Sequence, residues 1–394
     1  MSRSRSPSRC CCWSPWPPPP SPRYGWPGSP WPARSNPGRI QGPRRPEYIR
    51  LPLLCCRGRN SRKSSHLGGR MKKYFSVIPA VLALAFAGST VAQAEITDPS
   101  AAPGVRMLTL NSCGITCAYP TLSTTNANSA AGDWATNTAH AMDNWDADAV
   151  MLTEVCYGQY AALKTRMASP RTGSYTDNDT YDAEWYTPGG RESAGCGRWG
   201  TDHRFGLAVL VKGGSDAITE RLTKYLTLDP ADSNQNNHRG ILCAKAKIDG
   251  KNAMTCVTHP SQVSVAGRTK QIQEALAAVQ SWAGTTPVIL GGDFNAQPLD
   301  QEMGLLYSSA HPGGTGQFSE VDETDQRYFA ASCAGKSICR SGEDTFGSTA
   351  ANSKKIDYIF ATTAHFKDFY GDAAQRDIVN WSDHSLLRGA AAWR

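Results

Sequence analysis

The stretch VILGGDFNAQP, residues 288–298, carries an acid and an amide directly after a buried apolar run. Asp293 and Asn295 stand two positions apart, so their side chains point the same way at the end of an extended strand. Gly, Asp and Asn are also common turn residues, and this stretch taken alone fits a surface turn equally well. The rest of the chain decides between the two interpretations.

Six apolar segments of the chain share this feature, because each has an acid, an amide or an imidazole at one end. Polar side chains in such positions are costly to bury unless they are paired or bound to a ligand, so the set indicates a common rim. The residues concerned are Asn111, Glu154, His259, Asp293 with Asn295, Asp357, and Asp383 with His384.

The residue types at this rim suit the cleavage of a phosphate ester. Two histidines favour acid–base chemistry near neutral pH. A divalent cation neutralises phosphate charge while an activated water attacks in line. Hard cations take oxygen ligands, and the predicted ones are Glu154, Asp293, Asn295 and Asp383, with Asn111 assisting.

The elements that must position these residues alternate between strands and helices. Helical periodicity links Trp134 to Trp145, and residues 264–283 form a second predicted helix. Helices together with a hairpin at the turn DGKN predict mixed sheets in a layered α/β sandwich. The predicted strands are 106–110, 148–154, 205–211, 241–248, 253–259, 287–293, 355–361 and 385–393.

Six short motifs, in the order TLN, LTE, THP, GGDFN, KIDYIF and SDHSLL, resemble those of the endonuclease/exonuclease/phosphatase superfamily. This superfamily includes deoxyribonuclease I-like enzymes, bacterial sphingomyelinases and inositol-polyphosphate phosphatases. The resemblance spans about residues 106–393. It implies a four-layer α/β sandwich with two packed mixed β-sheets and a Mg²⁺-dependent phosphohydrolase site at one edge.

The resemblance also implies a role for each rim residue. Glu154 is expected to be the main metal ligand, supported by Asn111 and Asp383. Asp293 is expected to orient or activate the attacking water, and Asn295 to hold the phosphate. His384 is then the general acid/base at the scissile phosphate, with Asp357 hydrogen-bonded to its ring. His259 is the second imidazole, as in the deoxyribonuclease and sphingomyelinase branches.

The chain departs from the family pattern in three places. A cysteine follows the first motif in TLNSCG, and the acidic motif reads TE where QE is more usual. The glutamate that often partners the second histidine is not evident. Glu192 and Asp202 lie in the corresponding region, but neither is predicted to take that role.

The first ninety-four residues differ from the rest. Residues 1–70 are rich in Pro, Arg, Ser, Trp and Cys and cannot bury a core. A charged start, a short apolar run and a small-residue exit over 71–94 predict a secretory signal peptide rather than a membrane anchor. We therefore expect Met71 to be the initiator and 1–70 to be a mis-called upstream extension, with a disordered leader as the alternative.

The remaining residues, 95–394, contain no linker or repeat, so they are predicted to form one endonuclease/exonuclease/phosphatase domain. The chain has 41 Lys and Arg against 34 Asp and Glu, but 16 of the basic and one of the acidic residues lie in 1–94. The domain thus has 25 basic and 33 acidic residues, a net charge of −8. This acidity favours metal binding over non-specific duplex binding, and nothing in the pattern demands a second subunit, so we expect a monomer.

Eight of the 13 cysteines lie in the domain, an even number that predicts disulfides in an exported protein. Cys333 with Cys339 is the preferred pair, and Cys243 with Cys256 is a second pair across the hairpin. Zinc is the rival interpretation, disfavoured because no CxxC pair occurs. The cysteines left unassigned are Cys113, Cys117, Cys156 and Cys196.

Three functions compete for the predicted site. The first is that the chain is a secreted bacterial protein that acts as an extracellular nuclease. This function needs basic contacts along a phosphate track. A sphingomyelinase-like phospholipid phosphodiesterase ranks second, although segment 327–342 makes a poor apolar wedge. A non-catalytic binding module ranks last. Mg²⁺ is the expected ion, with Mn²⁺ or Ca²⁺ as alternatives. The candidate phosphate contacts are Arg198, Arg204, Lys212 and Arg239, the last more readily explained by a surface ion pair.

Overall fold

The structure, a computed structural model, describes residues 98–117, 127–172, 177–233, 236–347, 352–374 and 382–394. All of these belong to one compact unit of the chain. The predicted upstream extension, 1–70, and the predicted signal peptide, 71–94, lie outside the described residues.

Within the described residues, twelve strands form two six-stranded sheets. The strands are β1 (Val105–Asn111), β2 (Ala149–Cys156), β3 (Tyr181–Tyr186), β4 (Phe205–Lys212), β5 (Ile218–Tyr225), β6 (Gly240–Ile248), β7 (Lys251–Thr258), β8 (Val288–Asp293), β9 (Phe318–Glu320), β10 (Asp357–Thr362), β11 (Phe366–Ala374) and β12 (Leu386–Trp393).

The first sheet has the order β11-β12-β1-β2-β4-β3, and the second has the order β5-β6-β7-β8-β10-β9. Both are mixed, because β1 pairs with β2 and β7 with β8 in parallel while their other pairings are antiparallel. The predicted mixed sheets are therefore confirmed. The DGKN turn joins β6 to β7, and its Asp249 and Gly250 both have positive φ, as a two-residue hairpin turn requires.

Within the described residues, three α-helices cover the outer faces of the sheets: α1 (Ala127–Trp145), α2 (Tyr157–Met167) and α3 (Val265–Ala283). Trp134 and Trp145 of α1 are buried against the first sheet, and Ile272 of α3 is buried against the second. Ser264 caps α3 by accepting a hydrogen bond from the Gly267 backbone N–H. None of the described helices is long and apolar enough to cross a membrane.

The strand period of two separates the interior between the sheets from the interior beneath the helices. Along β1, Met107 faces the second sheet, where it joins Val257 and Ile359, while Leu108 faces α1 and α2. The layers are thus helix, sheet, sheet and helix. This is the predicted four-layer α/β sandwich, and the prediction is confirmed.

Gly291 and Gly292 of the GGDFN motif are required by close packing. A Cβ on Gly291 would lie 2.7 Å from the Met151 sulfur of the facing sheet. Gly292 has a φ of +134°, and a Cβ there would lie 2.0 Å from the Thr258 carbonyl oxygen. The two glycines therefore let β8 lie close to the facing sheet and to the end of β7 just before Asp293.

All eight cysteines of the domain form disulfides. The predicted pairs Cys333–Cys339 and Cys243–Cys256 are confirmed. The cysteines that sequence analysis left unassigned form Cys113–Cys117 and Cys156–Cys196, so the zinc interpretation has no free thiols to support it. The second of these pairs joins the loop GCGRWG to the end of β2.

Candidate active site

A cleft of about 380 Å³ opens at one edge of the sandwich, where β1, β2, β7 and β8 reach their carboxyl ends. Seven of the eight predicted site residues line it, and the eighth, Asp357, lies beneath it. The predicted convergence of residues from six segments is therefore present in the structure. The lining residues are Asn111, Thr116, Glu154, His259, Gln262, Asp293, Asn295, Phe346, Lys354, Ile356, Asp383 and His384.

Asp293, at the end of β8, is the hub of the cleft. Its Oδ2 accepts a hydrogen bond from Asn111 Nδ2 at 3.0 Å. The Nε2 atoms of His259 and His384 lie 3.4 and 3.8 Å from the same oxygen. Burial raises the pKa of Asp293, but the two imidazoles more than offset burial and hold this pKa below its usual range. Asp293 is therefore an ionised carboxylate with two imidazole rings and one amide as neighbours.

His384 is held by Asp357, as the sequence predicts. Asp357 begins β10 directly opposite Asp293, because β10 and β8 pair in antiparallel register. Its Oδ2 lies 2.7 Å from His384 Nδ1. Burial lowers the pKa of His384, but the carboxylate of Asp357 outweighs burial and raises that pKa to about 10. The ring of Phe346 packs against the imidazole at 4.9 Å between centroids.

The segment that carries Asp383 and His384 is tied to the end of β1. Ser382 donates from its hydroxyl to the Asn111 carbonyl oxygen at 2.6 Å and accepts from the His384 backbone N–H at 3.0 Å. Cys117 Sγ of the Cys113–Cys117 disulfide lies 3.3 Å from Asp383 Oδ1. Asp383 is thereby placed at the rim of the cleft, with its side chain half exposed.

Glu154 owes its direction to an irregularity in β2. The pairing of β2 with β4 shifts register between Leu152 and Val155, which is the signature of a β-bulge. Glu154 lies inside this bulge with a φ of +52°, a conformation that side chains other than Gly, Asn and Asp rarely adopt. The bulge aims its side chain, which is 26% exposed, into the cleft. Such strain is typical of functional sites.

The cleft has the character of a site for a hard cation. Within the described residues, Glu154 and Asp293 have no Lys or Arg nitrogen within 4 Å, and the basic side chains that approach them are histidines. Glu154, Asp383 and Asn111 carry the oxygen atoms that hard divalent cations prefer as ligands, so the residue types fit such an ion. The ligand atoms of Asp293, Asp357 and His384 lie within 4.8 Å of one another.

His259 follows β7 and faces Asp293 from the side opposite His384. Its Nε2 lies 3.0 Å from Asn295 Nδ2 and 3.9 Å from Glu154 Oε1. Asn295 is held in turn by its Nδ2 bond to the Pro260 carbonyl oxygen and by a backbone bond to Asp293 Oδ1. The amide that is predicted to hold the phosphate therefore lies in contact with His259 and next to Asp293.

Arg239 does not form the surface ion pair that the sequence favoured. It lies just before β6, is only 5% exposed, and places Nη1 2.8 Å from His259 Nδ1. Its Nη2 also donates to Gln262 Oε1. The prediction failed because β6 and β7 pair in a register that brings the start of one beside the end of the other, and local sequence does not reveal that contact.

The other basic candidates for a phosphate track are engaged elsewhere. Lys212 ends β4, at the opposite end of the first sheet, so its predicted place near the site is wrong. Arg204 forms a bidentate ion pair with Asp202 and stacks on Tyr157. Arg198 donates to the Cys117 carbonyl oxygen. Asp202 was not predicted to be the carboxylate partner of His259, and its ion pair with Arg204 agrees with that prediction.

Five cleft residues were missed by sequence analysis. Gln262 follows His259 by three positions, so proximity to a predicted site residue was a usable signal for it. Lys354 lies directly before the KIDYIF motif, so proximity to a predicted site residue was also a usable signal for Lys354. Ile356 lies inside the KIDYIF motif directly before Asp357, so the same signal was available for it. Thr116 and Phe346 have no signal of their own, because loops closed by tertiary packing bring them to the cleft.

A four-layer α/β sandwich with a buried Asp–His pair, a second histidine, and clustered carboxylates and amides at one edge defines a class of hydrolase that acts on phosphoester bonds. A sequence model of the Endonuclease/Exonuclease/phosphatase family matches residues 108–384. The chain belongs to this family, whose members depend on divalent metals. No curated protein matches it by sequence.

The chain is similar to several solved structures. The human Nocturnin catalytic domain with bound sulfate superposes with a TM-score of 0.51 at 14% identity, covering 74% of this chain and 94% of that one. An endonuclease/exonuclease/phosphatase from Bacteroides vulgatus gives 0.49 at 18% identity, covering 74% and 99%. A mannosyl-6-phosphatase from Bacteroides thetaiotaomicron gives 0.47 at 16% identity, covering 73% and 99%.

Proposed function

We propose that this protein is an exported bacterial phosphodiesterase that depends on a divalent metal and acts most readily as a nuclease. The observation that carries the proposal is the pair of carboxylates, Glu154 and Asp293, that share one cleft with two histidines and have no Lys or Arg within 4 Å among the described residues. Such a site attracts a cation and, through it, a phosphate.

The residues divide the work by position. Glu154, Asp383 and Asn111 would hold Mg²⁺, with Mn²⁺ or Ca²⁺ as alternatives, and the bound ion would supply neutralising charge for the phosphate. Asp293, between two imidazoles, orients or activates the attacking water. Asn295 directs its amide toward the same space to hold a phosphoryl oxygen.

His384 exchanges protons with the reacting phosphoester. Its Nδ1 is bonded to Asp357, which fixes the ring and leaves Nε2 facing the cleft beside Asp293. The raised pKa keeps the free imidazole protonated at neutral pH, so Nε2 starts as a hydrogen-bond donor and an acid.

Nucleic acid is the preferred substrate because the cleft is open and Lys354 stands exposed at its rim, where it can meet a flanking phosphate. The test is an assay of plasmid DNA, RNA, sphingomyelin and bis-p-nitrophenyl phosphate with Mg²⁺ and with EDTA. Cleavage of DNA or RNA that EDTA abolishes is the expected result. Equal cleavage in EDTA would contradict the metal requirement.

A phospholipid phosphodiesterase is the second candidate, and specific side chains favour it. Val263 and Val265 follow β7, Leu299 follows β8, and all three are exposed. Because β7 and β8 are parallel neighbours, the loops after them leave the same edge of the sheet as the cleft. Exposed apolar side chains there suit contact with a lipid surface. Cleavage of sphingomyelin alone would support this candidate over the nuclease.

A non-catalytic binding module is the remaining candidate. It predicts no turnover of any of the four substrates in the presence of Mg²⁺, Mn²⁺ or Ca²⁺. The complete set of site residues in one cleft supports an enzyme instead, because a binding module has no need of a buried Asp–His pair beside a carboxylate hub.

Export and a monomeric state complete the proposal. The signal-like segment 71–94 and the four disulfides of the domain support secretion, since disulfides persist in oxidising compartments. Mass spectrometry of secreted protein should find its N-terminus near residue 95 and no peptide from 1–60. Size-exclusion chromatography with light scattering should give the mass of one chain.

A further inference from the structure

A short disulfide loop, residues 113–117, closes against the cleft. The bond between Cys113 and Cys117 spans only four positions of the chain, and the loop starts two residues after Asn111. Thr116, inside the loop, lines the cleft. Its hydroxyl lies 3.2 Å from Cys113 Sγ, and it is the donor because a disulfide sulfur carries no proton. The disulfide loop is therefore part of the wall of the cleft.

The first half of the disulfide loop holds two of the residues that are proposed to bind the metal ion. The backbone N–H of Cys113 donates to Asn111 Oδ1 at 3.0 Å. An amide oxygen has two lone pairs, so this bond orients Asn111 and still leaves a lone pair for a cation. The backbone N–H of Gly114 donates to the Glu154 carbonyl oxygen at 2.9 Å. A Cβ on Gly114 would lie 2.6 Å from that same oxygen, so this close approach requires glycine.

The second half of the disulfide loop contacts the third proposed ligand. Cys117 Sγ lies 3.3 Å from Asp383 Oδ1, so the two atoms are in van der Waals contact. The Asp383 side chain is half exposed, and the residue before it, Ser382, donates to the Asn111 carbonyl oxygen. The disulfide therefore restricts the positions that are open to the Asp383 carboxylate.

The backbone of the disulfide loop shows why a crosslink is needed there. Cys113 has a φ of +45°, a left-handed conformation that residues other than Gly, Asn and Asp rarely adopt. Without the crosslink this residue would be free to relax to a negative φ, which would turn the loop's N–H groups away from Asn111 and Glu154. Resting on the proposed function, we propose that the Cys113–Cys117 disulfide is a positioning crosslink for the three metal ligands. The site then has its full affinity for a divalent cation only when this bond is formed.

The same bond is the one that a reductant reaches most easily. Cys117 is partly exposed, whereas the other seven cysteines of the domain are buried. A dithiol that attacks Cys117 Sγ leaves two protein thiols and is itself oxidised to a cyclic disulfide, so two electrons and two protons pass to the protein. Limiting dithiothreitol should open this bond first, as mass spectrometry after alkylation detects. Earlier opening of another bond would contradict the order expected from exposure.

The main test compares Mg²⁺ binding by two double variants, measured by titration calorimetry. Cys113→Ala with Cys117→Ala removes the crosslink at the cleft. Cys333→Ala with Cys339→Ala is the matched control, because it removes a disulfide of similar span, six positions, whose cysteines are not among the described residues that line the cleft. The Kd for Mg²⁺ should rise roughly 10–100-fold in the first variant and stay within about twofold of the native value in the second.

Hydrogen exchange supplies a second readout that needs neither metal nor substrate. The backbone N–H groups at positions 113 and 114 bond to Asn111 and Glu154, and that of His384 bonds to Ser382. All three should exchange faster when the crosslink is absent from metal-free protein. Strand β6, in the other sheet, should keep its native rates and so report an intact fold.

A second variant keeps the test decisive if the alanine variant fails to fold. Cys113→Ser with Cys117→Ser nearly preserves the side-chain volume and should show the same loss of Mg²⁺ affinity. Native affinity or native exchange in a folded variant without the bond, or an equal loss of affinity in the Cys333 and Cys339 control, would overturn the proposal. If native protein binds Mg²⁺ but cleaves no phosphodiester, the proposed function is wrong while both measurements still test the crosslink.

Discussion

At the end of the first sheet remote from the cleft, carboxylates are matched by lysine and arginine. Lys212 forms ion pairs with Asp146 and, at 3.0 Å, with Asp179, while Arg106 pairs with Asp146 as well. Asp148 lies 3.9 Å from the same lysine and accepts the Arg106 backbone N–H. The carboxylates at this end therefore already have lysine or arginine near them within the protein.

At the cleft edge, Glu154 of the first sheet and Asp293 of the second have no Lys or Arg nitrogen within 4 Å among the described residues, and the basic side chains near them are histidines. Carboxylates gathered without a lysine or arginine beside them gain most when a cation arrives from outside. The two ends of the sandwich thus separate structural charge from functional charge. Among the described residues, the carboxylates at the remote end have lysine or arginine partners, whereas Glu154 and Asp293 at the cleft have none.

The largest expected effect tests the proton-transfer group of the cleft end. His384→Ala should reduce kcat by roughly 10²–10⁴-fold, because it removes the acid–base residue and leaves Asp357 buried without its partner. The measurement is the initial rate on the substrate found to be cleaved. Asp179→Asn, at the remote end, is the matched control and should leave the rate unchanged. An equal loss of rate in both variants would contradict the distinction between a functional cleft end and a structural remote end.

The second test concerns Glu154 as a ligand of the proposed metal ion. Glu154→Gln keeps the shape of the side chain but removes its charge, so it should weaken Mg²⁺ activation by roughly tenfold or more. The measurement is activity as a function of Mg²⁺ concentration, starting from EDTA-treated protein. An unchanged titration would show that Glu154 is not a metal ligand.

The cleft end is also held covalently, whereas the remote end relies on ion pairs. Removing the Cys156–Cys196 disulfide by the double change to Ala should lower the free energy of unfolding by about 2–4 kcal/mol, since it frees a long loop in the unfolded chain. Urea unfolding with and without a reductant measures this. The double variant should respond less to the reductant than the native protein does.

Breaking the remote end should have a smaller effect, and on stability alone. Lys212→Met leaves Asp146, Asp148 and Asp179 without their shared lysine and should cost about 1–3 kcal/mol of unfolding free energy. Because the proposed chemistry lies at the other end, kcat should stay within about twofold of the native value. A large loss of activity in a folded variant would mean that this network also supports the cleft.

A buried cluster in the second sheet offers an intermediate case. Glu320 and Asp322 share one cation, Lys355, at 3.2 and 3.5 Å. Burial raises the pKa of Glu320 to about 8, despite the opposing effect of Lys355. An acid whose folded-state pKa is raised adds stability that is present below its unfolded-state value of about 4.3 and is lost as pH rises through about 8.

The smallest expected effect follows from that cluster. The free energy of unfolding should fall between about pH 6 and about pH 9, and Glu320→Gln should flatten this fall because it removes the titrating group. Urea unfolding at both values measures it, with Glu220→Gln on exposed β5 as the control. An equally steep fall in the Glu320 variant would assign the pH dependence to other groups.

The sequence predicted the positions of the site residues better than it predicted all the strands and helices. Strand β5 and helix α2 are examples of elements that it did not predict. Polar residues at strand ends predicted the convergence of Asn111, Glu154, Asp293 and His384, because strand direction places carboxyl ends of parallel strands at one edge. Strand β5 was missed since its side chains are largely exposed and carry little apolar period. Helix α2 was missed because it begins immediately after β2, without a loop to mark it.

What escaped prediction depends on contacts between distant segments. Cys333–Cys339 and Cys243–Cys256 are close along the chain or across a hairpin, whereas Cys156–Cys196 requires the loop before β4 to fold back onto β2. Arg239 was misassigned for the same reason, because only the pairing of β6 with β7 brings it to His259. Local pattern carries strand direction, but not which loop covers which strand end.

The conformation of Glu154 sets stability against activity. A glutamate at a φ of +52° costs roughly 1–3 kcal/mol relative to a residue at ease there, and asparagine tolerates that backbone better. Selection for heat resistance alone would therefore enrich Asn or Gly at position 154 and yield a sturdier but inert protein. The protein is therefore less stable than it could be, because the strained backbone at Glu154 is what directs this carboxylate into the cleft.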